Sequence, residues 1–119
     1  MNSYLSKIIF QIICGDGNHT PQFDEQLRLI FAEDESEALA KAKKIGEDGQ
    51  DSFFNEKKQL VKWQFIDVAE LYKLSNMTDG AEIFSRIEEH DHADAYRKLV
   101  HRKASLLQQT ESRKLLQLI

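Results

Sequence analysis

The residues best suited to chemistry lie in one short segment near the N-terminus. The segment CGDGNHTPQFDE, residues 14–25, holds the only cysteine and the only proline of the chain. Asp16, His19 and Asp24 could ligate a divalent metal, and Cys14 could be a nucleophile if a histidine assisted it. However, zinc sites usually use paired ligands such as C-x₂-C, and the D-x-D-x-D-G run of an EF-hand is missing. We therefore predict a loop between two strands, with a metal site as the alternative.

A second group of metal-ligand types lies further along the chain, in the segment EEHDHAD, residues 88–94. His90 and His92 would share a face on a strand but not on a helix. The simpler interpretation is a solvated junction at the start of a helix, where acidic residues are favoured by the helix dipole. We predict no cofactor and no catalytic residue. The alternative is a metal-assisted enzyme that uses the 14–25 loop together with the 88–94 junction.

Composition and cysteine content indicate a soluble single-domain protein. The chain has 119 residues, of which 41% are hydrophobic and 30% charged, as in ordinary globular domains. No apolar run approaches the roughly 20 residues needed to span a bilayer, and the N-terminus lacks the features of a signal peptide. One cysteine cannot form an internal disulfide, which fits a reducing compartment. We expect a cytoplasmic protein with no membrane partner.

Apolar spacing predicts the elements that must position these residues. Alternation indicates four strands, namely Lys7–Cys14, Gln26–Ala32, Gln59–Val68 (continuing through residues 71–74) and Ala81–Glu88. Between the second and third strands, Asp34 and Glu37 have capping-box spacing, and Gly46 reads as the end of that helix. Residues 47–54 are ambiguous and residues 55–58 read as a turn. A long helix follows, from about residue 91 to 119.

The predicted fold class is α+β, in the order ββαββα. We expect a four-stranded antiparallel sheet with the capped helix and the long C-terminal helix on one face. The whole chain, residues 1–119, would form a single domain with its core between about residues 4 and 110.

Three stretches of the sequence together resemble a family of small bacterial proteins classed as a domain of unknown function. They are EQLRLIFAEDESEALAKAKKIG, VKWQFIDVAELYKL and DGAEIFSRI. The resemblance covers about residues 7–88 and leaves the long C-terminal helix mostly outside. Its motifs are structural: a strand, a capped helix, an aromatic strand and an Asp-Gly turn. The resemblance implies a small α+β domain without an established activity, so it carries over no catalytic residue.

The C-terminal helix combines basic charge with an apolar stripe. Residues 97–114 hold six basic residues and one acid, a balance of +5, whereas the rest of the chain must carry −9 to reach the net charge of −4. A helix from residue 91 to 119 would be about 40 Å long, and its apolar end would overhang a domain of this size. Soluble monomers rarely expose such a patch. We predict a homodimer about a twofold axis, with contacts through Tyr96, Leu99, Val100, Leu106, Leu107, Leu115 and Leu116. The alternative is packing of the helix on its own sheet.

Two further ligand classes are alternatives to this interpretation. The basic helix could neutralise phosphates in a nucleic-acid-binding accessory protein, but the pI of 5.5 and the lack of a nucleic-acid-reading motif argue against it. Aromatic residues at strand spacing could line a pocket for a small molecule, or simply form the core. We therefore expect a non-enzymatic binding or protein-interaction module that self-associates. A further protein or a small molecule stays open as a partner, and we expect no nucleic acid.

Overall fold

The chain folds as four strands and two helices in the described residues, which are 1–75 and 77–118, with residues 110–118 described as backbone alone. In this computed structural model the elements are β1 Asn2–Cys14, β2 Gln22–Ala32, α1 Glu35–Asp48, β3 Asp51–Phe54, β4 Leu60–Leu74 and α2 Ala93–Leu118. The predicted α+β class and the long C-terminal helix are confirmed. The chain divides into two compact units, residues 1–83 and 84–119.

The first unit is an antiparallel sheet with the strand order β2-β1-β4-β3. Tyr4 of β1 lies opposite Ile30 of β2, so the even-numbered residues of these strands share one face. On that face Tyr4, Ile30 and Ala32 form the buried core with Ala38 and Ala42 of α1. The small side chains of α1 let the helix approach the sheet closely. α1 therefore covers one face of the sheet.

The predicted capping box at the start of α1 is confirmed. Asp34 Oδ1 accepts a hydrogen bond from the backbone N–H of Glu37 at 2.8 Å. In return, Glu37 Oε2 accepts from the backbone N–H of Glu33 at 3.0 Å. These two bonds satisfy backbone donors that have no partner within the helix. They fix the direction in which the chain leaves β2.

The predicted end of the first helix was wrong. α1 continues past Gly46 to Asp48, and Gly49 forms its C-cap. Gly46 lies inside the helix, at a position where the ring of Phe65 occupies the space of a side chain. A Cβ on Gly46 would lie 2.3 Å from the ring. A glycine needed for close packing and a glycine that ends a helix look the same in the sequence.

The predicted fourth strand was also wrong. Residues 81–88 form no strand; residues 51–54 form β3 and pair with β4 instead. The turn predicted for residues 55–58 is confirmed. The side-chain oxygen of Asn55 accepts from the backbone N–H groups of Lys57 and Gln59 at 2.9 and 3.0 Å. Such a short loop costs little entropy to close, so the local hairpin forms readily.

Candidate functional site

The segment of residues 14–25 contains the connection between β1 and β2. Residues 15–21 join the two strands. Gly15 and Gly17 have φ values of 61° and 82°, which favour glycine. Asp16 Oδ1 accepts from the backbone N–H of Asn18 at 2.9 Å, an Asx turn. Most of the unusual composition of this loop is therefore explained by its backbone.

His19 uses both of its ring nitrogens inside this loop. Its Nε2 lies 3.0 Å from the backbone N–H of Cys14, which can only donate. Its Nδ1 lies 2.9 Å from the carbonyl oxygen of Thr20, which can only accept. Both bonds form together only when Nδ1 carries the proton and Nε2 accepts. The imidazole thus ties the end of β1 to the residues that lead into β2.

The sulfur of Cys14 has two side-chain amides as neighbours. Its Sγ donates to Gln59 Oε1 at 3.4 Å and accepts from Asn55 Nδ2 at 3.6 Å. The imidazole of His19, which would have to activate the thiol, binds the backbone of Cys14 instead. An open cleft of about 470 Å³ adjoins these residues. The arrangement links the loop to the β3–β4 turn and does not form a cysteine–histidine pair.

Asp24 lies on the α1 side of β2 and accepts two hydrogen bonds. Trp63 Nε1 donates to its Oδ2 at 3.2 Å, and Gln26 Nε2 donates to the same oxygen at 2.7 Å. Arg28 Nη2 in turn donates to Gln26 Oε1 at 2.8 Å. Sequence reasoning missed this polar row, although the alternation of Asp24, Gln26 and Arg28 along a strand is its visible signal.

The predicted metal ligands of the loop are engaged in these hydrogen bonds. Among the residues that the structure describes, no three His, Cys, Asp or Glu side chains lie together as a metal site would require. Asp16, His19 and Asp24 each have a protein partner. A metal site in this loop stays the untested alternative to a simple connection, and elemental analysis of protein purified without added metal tests it.

The second predicted segment lies in the other unit and precedes α2. The ring of His90 stacks on Tyr96 with centroids 4.2 Å apart, and its Nε2 lies 3.2 Å from Glu88 Oε2. The hydrogen bond from His90, and then the Arg86 guanidinium 2.7 Å away, hold the pKa of Glu88 below its ordinary value. The backbone carbonyl of His92 accepts from Tyr96 N at 3.2 Å, in the first turn of α2. The segment is an exposed start of a helix.

Those predicted interaction residues of α2 whose side chains the structure describes are exposed. Their exposed fractions lie between 43% and 70% for Tyr96, Leu99, Val100, Leu106 and Leu107. Leu115 and Leu116 fall outside the side chains that the structure describes. The described part of α2 therefore presents an apolar stripe at three-and-four spacing.

A second apolar surface, which sequence reasoning did not identify, lies on β2. The face of β2 turned away from α1 carries Phe23, Leu27, Leu29 and Phe31, each between 45% and 57% exposed. Glu25 interrupts this row and lies 3.9 Å from Lys7 of β1. The same alternation predicted a strand, but it did not show which face of the strand would be covered. We call Phe23, Leu27, Leu29 and Phe31 the β2 row.

The fold defines a small α+β protein whose sheet is covered on one face by a capped helix. Comparison with protein families matches residues 3–85 to DUF4288, described as a domain of unknown function. The chain belongs to this family, and the resemblance predicted from its structural motifs is confirmed. Comparisons with curated proteins and with solved structures gave no match. None of the described helices is long and apolar enough to cross a membrane.

Proposed function

We propose that this protein is a non-enzymatic interaction module that self-associates. The observation that supports it best is the β2 row, in which four large apolar side chains are about half exposed. Full burial of one such side chain contributes about 1.5–3 kcal/mol, so covering the row is worth several kcal/mol. Soluble monomers rarely expose a large apolar patch in water.

A second copy of the chain is the partner that this surface suits. Two copies related by a twofold axis present the same patch to each other, so apolar side chains of one copy contact those of the other. The stripe on α2 adds half-exposed apolar side chains of the same kind, such as Leu99 and Val100. Two such surfaces on one small chain favour an assembly of identical copies.

Light scattering on the full-length chain at tens of micromolar tests this proposal. We expect twice the mass of one chain, and a shift towards the monomer in Leu29→Lys, which places a charge in the β2 row. Ile87→Lys is the matched control, because Ile87 is 95% exposed and belongs to neither surface. Leu99→Lys measures how much the apolar stripe on α2 contributes to dimer formation. A monomeric full-length chain would end the proposal.

A further inference from the structure

β2 differs from the other exposed strand edge in its length and regularity. It pairs with β1 in an uninterrupted register over eleven residues and contains neither proline nor lysine. The other edge strand, β3, has four residues. The register of β4 with β1 shifts twice, between Lys7 and Ile8 and between Ile9 and Phe10. Short strands and bulges discourage further pairing, so β2 is the edge suited to receive another strand.

The backbone groups of β2 show which residues are available at this edge. In an antiparallel strand the N–H and C=O of one residue point to one side and those of the next residue to the other. The carbonyl of Arg28 points towards β1, where Ser6 Oγ donates to it at 3.4 Å. The carbonyl of Phe31 instead accepts from Lys41 Nζ of α1 at 2.6 Å. The odd-numbered residues therefore point outwards, and Lys41 closes the edge at Phe31. The open part of the edge consists of Phe23, Glu25, Leu27 and Leu29.

We propose that β2 pairs in antiparallel orientation with β2 of a second copy, about a twofold axis that passes beside Gln26 and joins the two sheets into one. This inference rests on the proposed self-association and specifies its surface. Gln26 is the midpoint of residues 23–29, so Phe23 lies opposite the partner's Leu29 and Glu25 opposite the partner's Leu27. All outward backbone groups of the open edge are then used, in about eight hydrogen bonds between the chains. The β2 rows of both copies then lie side by side on one face, and each shields the flank of the other that faces the edge.

The polar row on the other face supports a second copy as the partner. Asp24 and Arg28 are joined through Gln26, with an acid at one end and a base at the other. An antiparallel copy centred on Gln26 places each Asp24 opposite the partner's Arg28, twice in the dimer. Opposite charges in directly facing positions stabilise a strand pair, and like charges destabilise it.

Neighbouring registers are less favourable for identifiable reasons. A twofold axis perpendicular to the sheet keeps α1 of both copies on one side, so facing residues have the same parity. An axis beside Glu25 or Arg28 would set each of these residues against its own charge. An axis beside Leu27 would require the Phe31 carbonyl that Lys41 occupies. The register centred on Gln26 avoids both problems.

Hydrogen exchange measured by NMR on the full-length wild-type chain tests the pairing without any substitution. In the dimer we expect the outward amides of Glu25, Leu27 and Leu29 to exchange at least tenfold more slowly than after dilution to the monomer. The inward amides of Gln26 and Arg28, which bond to β1, are the internal control and should change little.

Charge exchange tests the register. Asp24→Arg and Arg28→Asp each place like charges opposite each other in their own homodimers, which should weaken each about tenfold. An equimolar mixture restores both opposite-charge pairs and should form a mixed dimer that is tighter than either homodimer. Lys43→Asp on the exposed surface of α1 is the matched control and should leave the affinity unchanged.

Three results would overturn the inference. A dimer whose outward amides exchange as fast as in the monomer would remove the strand pairing while leaving self-association intact. A chain that is monomeric at tens of micromolar would remove both proposals. Protection of Leu27 that persists in the monomer would show that a segment of the same chain covers the edge.

Discussion

Gly46→Ala tests whether the closeness of α1 to the sheet is set by this glycine. The added Cβ would lie 2.3 Å from one carbon of the Phe65 ring and 2.4 Å from another, whereas carbon atoms normally pack at about 3.5–4.0 Å. The ring would have to retreat by about 1 Å. Phe10, which is buried, lies beside it at a centroid distance of 6.0 Å and restricts that movement.

The magnitude follows from two opposing effects. Overpacking of this kind costs about 1–3 kcal/mol, and alanine gains about 1 kcal/mol over glycine inside a helix. We therefore expect Gly46→Ala to lower the free energy of unfolding by up to about 2 kcal/mol, measured by urea denaturation followed by circular dichroism. Packing outweighs propensity at this position.

Two controls separate those effects. Ala40→Gly, at an exposed position of α1, measures the propensity difference alone. Phe65→Leu made in the Gly46→Ala background should recover part of the loss, because the smaller side chain vacates the space that the Cβ needs. If Gly46→Ala instead stabilised the protein by about 1 kcal/mol, the close contact with Phe65 would be refuted.

Two further predictions concern the loop and the start of α2. His19→Ala should lower the free energy of unfolding by about 1–3 kcal/mol, because it leaves the part-buried N–H of Cys14 without its acceptor; Thr20→Ala, which keeps the backbone carbonyl, should change it by less than about 0.5 kcal/mol. By NMR titration, the pKa of Glu88 should lie below its ordinary value of 4.5 and rise towards it in His90→Ala. Because the pKa of Glu88 is lowered, the interactions of its carboxylate with His90 and Arg86 are fully present above the ordinary pKa of 4.5 and are lost as the pH falls through the lowered pKa. An unchanged Glu88 pKa in His90→Ala would contradict the assignment of the hydrogen bond.

Sequence patterns were sufficient where the determinant is local. Alternation along the first two strands, the capping box of Asp34 and Glu37, and the Asn55 turn all rest on residues within a few positions of each other. They were insufficient where two segments compete for one place in the sheet. Residues 81–88 alternate at least as clearly as residues 51–54, and only the hairpin with β4 decides between them.

The candidate site was harder to predict than the fold because its contacts depend on the register of distant strands. Trp63 and Asp24 are 39 positions apart, and their hydrogen bond exists because both strands pair with β1 in the observed register. The β2 row is visible as alternation, but its exposure depends on which face α1 covers. Neither fact is contained in the spacing of residues within one strand.

The side chains that look chemical in the sequence have a structural role that bears on the proposed pairing. His19 holds the end of β1 to the loop that leads into β2, and the bond from Trp63 to Asp24 connects β2 with β4 across the strand between them. Both interactions oppose movement of β2 away from the sheet. A strand whose backbone is already held in its bound conformation loses less entropy when a second strand adds to it. Under the proposed pairing, the carboxylate that resembled a metal ligand therefore has two structural roles: it holds β2 on the sheet and it faces the arginine of the partner.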